Sequence, residues 1–298
     1  MKKTCLIYIM LLALLMVGCA NTGESARIAA TTLPVYEFTA RICRGTPLTV
    51  TQLVTEEVSC LHDYSLNVKQ VKAAEAAELI VISGAGLEEF MEDILEGKPT
   101  VDASANIELI MPEEHHHGHI HENEESDHDG HDHEQDPHIW LSPANAATMA
   151  RNICTGLSAR YPLHSDVFSA NLAALLEELD VLHQYADAEL QDLSCRELIT
   201  FHDGFAYLAD ACGLTILDAI EEESGSEASA KELIHMIEEV EHHQLPAIFT
   251  EKNGSVSAAG IIARETGARE YSLDMAMSGN GYFDSMYHNI NTLKEALQ

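Results

Sequence analysis

Two series of short apolar runs, each run followed by a stretch with helical spacing, flank one very long helical stretch, and that arrangement commits the chain to an α/β fold. In the first series, residues 27–33 read as a buried strand that leads through Pro34 into a helix ending near Gly45. Residues 49–54 then read as a strand, 65–76 as a helix, 79–83 as a strand closed by Gly84 and Gly86, and 87–95 as a helix. In the second series, strands are expected at 197–201, 214–217, 247–250 and near Tyr271. Helices are expected to run to Cys212, over 229–243, to Thr266 and from about Tyr282. Parallel strands need a crossover of a dozen or more residues, usually a helix, so this alternation predicts βαβ units and mainly parallel sheets.

Between the two series, Pro143 can occupy the first turn of a helix that carries on to about Ala159. A second helix is expected over 165–193, with Leu172, Leu175, Leu176, Leu179, Leu182 and Tyr185 at helical spacing. At 1.5 Å per residue it is about 40 Å long, enough to brace two lobes. The expected organisation is an N-terminal α/β lobe over 27–160, a linking helix within 161–193 and a C-terminal α/β lobe over 194–298. No sequence repeat relates the two lobes.

Lys2 and Lys3 precede an uncharged apolar run from Cys5 to Val17. That run is too short and wrongly flanked for a membrane-spanning helix and has the form of an export signal. It ends in Met16-Val17-Gly18-Cys19, which resembles a bacterial lipobox. The expectation is a signal peptide over 1–18, lipidation at Cys19, a polar tether over 19–26, and an extracytoplasmic protein anchored by lipid to the cell membrane, periplasmic in a Gram-negative cell.

With Lys+Arg 16 against Asp+Glu 49, the formal charge of −33 argues against nucleic acid as a partner and favours cations. Seventeen histidines are present, and eight of them, His115, His116, His117, His119, His121, His128, His131 and His133, fall within one acidic stretch. Residues 113–136 have no hydrophobic period, so a disordered insertion is expected there, able to hold several metal ions weakly. Cys43, Cys60, Cys154, Cys195 and Cys212 show no CxxC spacing and are expected to be disulfide-bonded or buried rather than metal ligands.

Three other histidines share one context. His62, His138 and His202 each follow a strand or extended segment and precede a helix, where the loops of α/β sheets face the crevice beyond the strand ends. Asp274 follows the last short strand in the same way. Two donors would come from each lobe, with a metal ion between them, so that closing the cleft completes the coordination. Asp63 and Asp203, each beside a histidine, are candidates to orient the imidazoles or to cap helices.

The segments Cys60-Leu61-His62-Asp63-Tyr64-Ser65-Leu66, Asp136-Pro137-His138-Ile139-Trp140-Leu141-Ser142-Pro143 and Phe201-His202-Asp203-Gly204-Phe205-Ala206-Tyr207 closely resemble the metal-ligand motifs of the zinc-uptake solute-binding proteins of ABC importers, the zinc-specific branch of the TroA-like superfamily. The resemblance covers essentially the whole chain after the signal. It implies two α/β lobes joined by one long helix and a Zn²⁺ site in the interlobe cleft made by His62, His138 and His202, with Asp274 as candidate fourth ligand. It also implies a monomeric, non-enzymatic protein that passes zinc to the permease and ATPase subunits of an importer. Two positions depart from the pattern. Leu61 stands where some zinc-specific relatives have a glutamate, and Met275 follows Asp274 where relatives often have proline. The fourth position therefore stays open between Asp274, Glu251 and a water.

Imidazole donors suit Zn²⁺ better than Mn²⁺, which needs more oxygen. The alternatives are a manganese-type or broad divalent-metal lipoprotein or adhesin, and a zinc hydrolase, for which no HExxH is present. Deleting residues 115–133 should lower the total zinc bound per chain, by metal analysis, and leave one tight site; loss of the tight site would defeat the assignment of the three histidines.

Overall fold

The computed structural model describes residues 27–56, 58, 61, 64–111, 135–221, 228–252, 257–277, 279 and 281–298. The expected signal peptide and Cys19, Cys60, His62 and Asp63, and the eight histidines between His115 and His133 lie outside the described residues. Among the described residues no helix is long and apolar enough to cross a membrane.

The chain forms two four-stranded sheets in which every pairing is parallel. The first contains β1 (Arg27–Ala30), β2 (Thr49–Gln52), β3 (Leu79–Ile82) and β4 (Thr100–Asp102) in the order β2-β1-β3-β4. The second contains β5 (Glu197–His202), β6 (Thr215–Glu221), β7 (Ala247–Glu251) and β8 (Arg269–Leu273) in the order β6-β5-β7-β8. The two orders are the same path traced twice. Buried parallel strands and helical crossovers can be built from many apolar residues, so the topology repeats where the sequence does not.

Helices α1 (Leu33–Ile42), α2 (Val68–Ala76) and the single turn α3 (Glu92–Leu95) accompany the first sheet. The second carries α6 (Ala206–Ala211), α7 (Ala230–His243), α8 (Ser257–Thr266) and α9 (Tyr282–Leu297). Helix α2 starts later than its hydrophobic pattern suggests because Asn67 caps it. The Asn67 side chain accepts from the Lys69 and Gln70 N–H groups, and the Gln70 side chain accepts from the Asn67 N–H. The helix expected over 87–95 is instead a 3₁₀ turn (Glu89–Met91) followed by α3. Only Met91 is buried in those two elements, so no apolar stripe sustains a longer helix there. Strand β4 escaped the sequence reading because it has three residues and one buried side chain, Val101.

Between the sheets run α4 (Pro143–Arg160) and α5 (Ser165–Leu190). Pro143 occupies the first turn of α4, and the Ser142 hydroxyl accepts from the Asn145 N–H. The 26 residues of α5 span about 39 Å. Its buried stripe, Phe168, Leu175, Leu179, Leu182, Ala186 and Leu190, packs on α1 and α4 toward one sheet and on α9 toward the other.

Each lobe has a small apolar cluster of its own, around Ile80 in the first and Ile248 in the second, but the largest cluster is common to both. One apolar cluster runs from Ile28 and Val81 of the first sheet through Trp140 and the α5 stripe to Leu198 and Phe249 of the second and Tyr282 and Met286 of α9. At its centre Trp140 has no exposed surface and its Nε1–H donates to the Met275 carbonyl at 2.7 Å. The Tyr282 hydroxyl donates to the Trp140 carbonyl at 2.9 Å, while its ring meets Phe38 edge-on at 5.0 Å. Cys43, Cys154, Cys195 and Cys212 are free thiols, so the disulfide half of the cysteine expectation is corrected for these four. Burial pushes the Cys43 and Cys212 thiols up to about 12, which keeps them protonated and uncharged.

Glu88 is buried at the carboxyl end of the first sheet. It accepts from the Thr31 hydroxyl at 2.6 Å and from the Ser83 and Gly84 N–H groups at 2.8 and 3.0 Å, joining the ends of β1 and β3. Burial raises its pKa from 4.5 to about 7 and outweighs the three donors, which favour the carboxylate. The folded state therefore holds this proton over a pH range in which the unfolded chain has lost it, and the stability it confers declines as pH rises from 4.5 to 7. In metal-free chemical unfolding, the wild-type protein should lose up to roughly 3 kcal/mol more than Glu88→Gln between pH 4.5 and 7.5.

Candidate metal centre

The residues singled out in the second lobe all stand at carboxyl ends of strands, where an α/β sheet offers its crevice. His202 is the last residue of β5, Glu251 the last of β7, and Asp274 follows β8 directly. His138 comes from the first half of the chain, at the start of the 3₁₀ turn Ile139–Leu141 that precedes α4. His138 and His202 are both buried, 1% and 2% exposed. Their imidazoles meet with ring centroids 5.3 Å apart and planes at 85°. Two imidazoles on one tetrahedral zinc, with Zn–N near 2.0–2.1 Å, place their centroids about 5.2 Å apart. The pair is close enough for two donors to one ion, at a spacing also usual for edge-on aromatic pairs.

The protonation of His138 follows from its neighbour. Asp136 Oδ1 lies 2.8 Å from His138 Nδ1 and also accepts the His138 backbone N–H at 2.8 Å. A carboxylate accepts, so Nδ1 carries a proton, and in the neutral ring that tautomer leaves the lone pair on Nε2. That Nε2 is buried and has no hydrogen-bond partner among the described residues. A buried lone pair left without a donor costs stability unless a cation takes it. The ring also packs edge-on to Trp140 at 5.4 Å, which limits its rotation. Asp136 is a residue that sequence reasoning missed. Its signal is in the sequence, a carboxylate two positions before a candidate ligand with a rigid proline between, whereas the expected orienting acids directly follow His62 and His202.

His202 is held by a missing side chain. A Cβ on Gly204 would sit 2.7 Å from His202 Cδ2, 2.8 Å from His202 Nε2 and 2.8 Å from Met275 Cε. Gly204 has no positive φ, so glycine serves here to let the imidazole lie against the backbone rather than to permit a turn.

The acidic candidates differ in their surroundings. Asp274 Oδ2 accepts from Lys252 at 2.8 Å and Oδ1 from the Ala276 N–H at 2.8 Å. Its main chain is locked by Asn289, which accepts its N–H and donates to its carbonyl, both at 2.7 Å. A metal drawn to Asp274 would share an oxygen with a half-exposed lysine. Glu251 is 5% exposed on β7, the strand beside β5. The register pairs Thr200 with Phe249, and carried on by two residues it sets Glu251 beside His202. Asp203 is exposed. Among the described residues no group of three or more His, Cys, Asp or Glu side chains is arranged to hold a metal ion. Among the candidate ligands that are described, two imidazoles, His138 and His202, come together.

Comparison with known proteins places the family and the fold. Residues 28–296 match the family described as zinc-uptake complex component A, periplasmic. The chain is 30% identical, over 99% of its own length, to the zinc-binding lipoprotein AdcA of Streptococcus pneumoniae serotype 4. The chain spans 61% of that relative's length. A crystal structure of ZnuA superposes with a TM-score of 0.78 at 28% identity, over 92% of this chain and 100% of that one. The Zn(II)-bound ZnuA-like domain of S. pneumoniae AdcA gives 0.74 at 27% identity, over 92% and 99%.

Gly204→Ala should displace the His202 ring and cost about 1–3 kcal/mol, the usual range for overpacking a full site. Thermal unfolding and the side-chain NMR signals of His202 report the two effects separately.

Proposed function

This chain belongs to the zinc-uptake complex component A family, and on that premise we propose that it is the extracytoplasmic solute-binding part of an ABC importer, with Zn²⁺ as cargo. The observation that carries the reading is the buried pair His138 and His202, whose ring centroids are 5.3 Å apart, with an Nε2 on His138 that has no hydrogen-bond partner among the described residues. His62 supplies the third imidazole, and Asp274, Glu251 or a water the fourth donor. Three neutral imidazoles and at most one carboxylate keep the site cationic when loaded and favour Zn²⁺ over Mn²⁺.

The protein acts by holding an ion and releasing it to a permease, with the ATPase subunit driving transport; it is a carrier and not an enzyme. It is a monomer, anchored to the membrane by lipid at Cys19. The histidines between His115 and His133 hold further zinc and load the tight site. The lobes correspond to residues 27–160 and 194–298, braced by 161–193. The shared core around Trp140 argues for a site formed largely before the ion arrives rather than one assembled by wide closure.

Metal analysis and calorimetry on the chain without residues 1–18 test the proposal. Zn²⁺ should bind one site with a dissociation constant near nanomolar, about −12 kcal/mol. His62→Ala, His138→Ala and His202→Ala should each weaken that site at least about 100-fold, on the scale of a lost metal ligand or its support. Unchanged affinity in His138→Ala and His202→Ala, or tighter binding of Mn²⁺ than of Zn²⁺, would overturn it.

A further inference from the structure

Tyr207 lies on α6, five residues after His202, and its side chain is 3% exposed. Its hydroxyl reaches out of the second lobe to the segment that carries His138. There it accepts the Ile110 N–H at 2.9 Å and donates to the Asp136 carbonyl at 3.1 Å. Ile110 and Asp136 are themselves joined, Asp136 N–H to Ile110 carbonyl, at 3.1 Å. Three hydrogen bonds thus close on one point, and that point is the main chain of the residue whose carboxylate holds the His138 ring.

From this geometry we propose that Tyr207 is a positioning residue for His138. It fixes the Asp136 main chain against the segment bearing His202 and so sets both the tautomer of His138 and the spacing of the two imidazoles. The proposal rests on the reading of His138 as a metal donor for its significance, but not for its geometry. The chain of contacts runs from the Tyr207 hydroxyl to the Asp136 backbone, from the Asp136 carboxylate to Nδ1 of His138, and so to Nε2. Pro137 stiffens the only link between the carboxylate and the ring that it orients. Burial raises the phenol's pKa, so Tyr207 stays protonated and able to donate. Removing the hydroxyl would leave the Ile110 N–H without its acceptor and the Asp136 carbonyl without this donor, and Asp136 would be free to shift. Outer partners of metal-binding histidines typically change affinity by about 10–100-fold when mutated, and a hydroxyl acting through Asp136 belongs at the lower end.

The test compares Tyr207→Phe with Tyr185→Phe, which loses a hydrogen bond of similar length, 2.8 Å, to the exposed Asn291. In the metal-free full-length protein, ¹⁵N–¹H NMR of the histidine side chains should show wild-type His138 as the Nδ1–H tautomer. Tyr207→Phe should shift it toward a mixture and Tyr185→Phe should leave it unchanged. By chelator competition, Tyr207→Phe should weaken the tightest Zn²⁺ site about 10-fold and Tyr185→Phe should not. A structural loss alone would lower the melting temperature without moving the tautomer. If Tyr207→Phe does not fold, 3-fluorotyrosine at position 207 keeps ring and hydroxyl but weakens the oxygen as acceptor, and a smaller shift of the same signal is expected. A His138 tautomer indifferent to these changes overturns the proposal. A wild-type chain without a tight zinc site instead overturns the metal reading and leaves the tautomer result standing.

Discussion

A tryptophan with no exposed surface has one polar atom to satisfy, and at Trp140 the acceptor is the Met275 carbonyl at 2.7 Å. An indole N–H left unpaired in an apolar interior costs the full desolvation of that group, so the two halves of the chain are held together at this point. The consequence reaches the site through short stretches of backbone. His138 is two residues before Trp140, and Asp274 immediately precedes Met275, whose methyl lies against the place where His202 meets Gly204. Tyr282 supports the same point from the other side by donating to the Trp140 carbonyl. The relative position of the donors is thus a packing result, set in the shared core and inherited by the imidazoles.

The electrostatics around the two buried imidazoles depend on tying up nearby acids in hydrogen bonds. The chain carries a formal charge of −33, yet the atoms next to the imidazoles are largely neutral or committed: Asp136 holds Nδ1 of His138, and Asp274 is engaged by Lys252 and the Ala276 N–H. A neutral imidazole with a fixed proton on one nitrogen presents a lone pair on the other, which is the form a metal ion needs. A general negative field attracts cations at long range, and imidazole donors favour Zn²⁺ over ions that need more oxygen. The same separation explains why the cysteines stand apart from the chemistry. Cys43, Cys154 and Cys212 have thiols shifted upward by burial, which makes them poor sources of thiolate.

Much of the fold was legible because parallel α/β folds announce themselves in apolar runs and helical spacing. The long α5 was readable from its leucines and tyrosine, and the start of α4 from Pro143. Strand β4 was not, since a three-residue strand has no period, and the one-turn α3 was read as a longer helix. The equal strand orders of the two sheets were also invisible, because topology leaves no mark on residue identity. In the site, His138 and His202 were legible from their place between strand and helix. The roles of Asp136, Gly204 and Tyr207 were not, since each acts by touching a residue at a distance that sequence spacing does not express.

By itself the sequence determined the fold class, the two halves and the long helix between them, and the kind of chemistry, because those follow from local periodicity, from charge and from which side chains can ligate a metal. Only the tertiary structure decided that the largest apolar cluster spans both halves, that the His138 and His202 rings meet in the interior, and that Nδ1 of His138 faces Asp136. The physical reason is range. Propensity and hydrophobic pattern act between near neighbours in the chain, whereas the geometry of a buried site depends on contacts such as Trp140 with Met275 and Tyr207 with Asp136, between residues 135 and 71 positions apart.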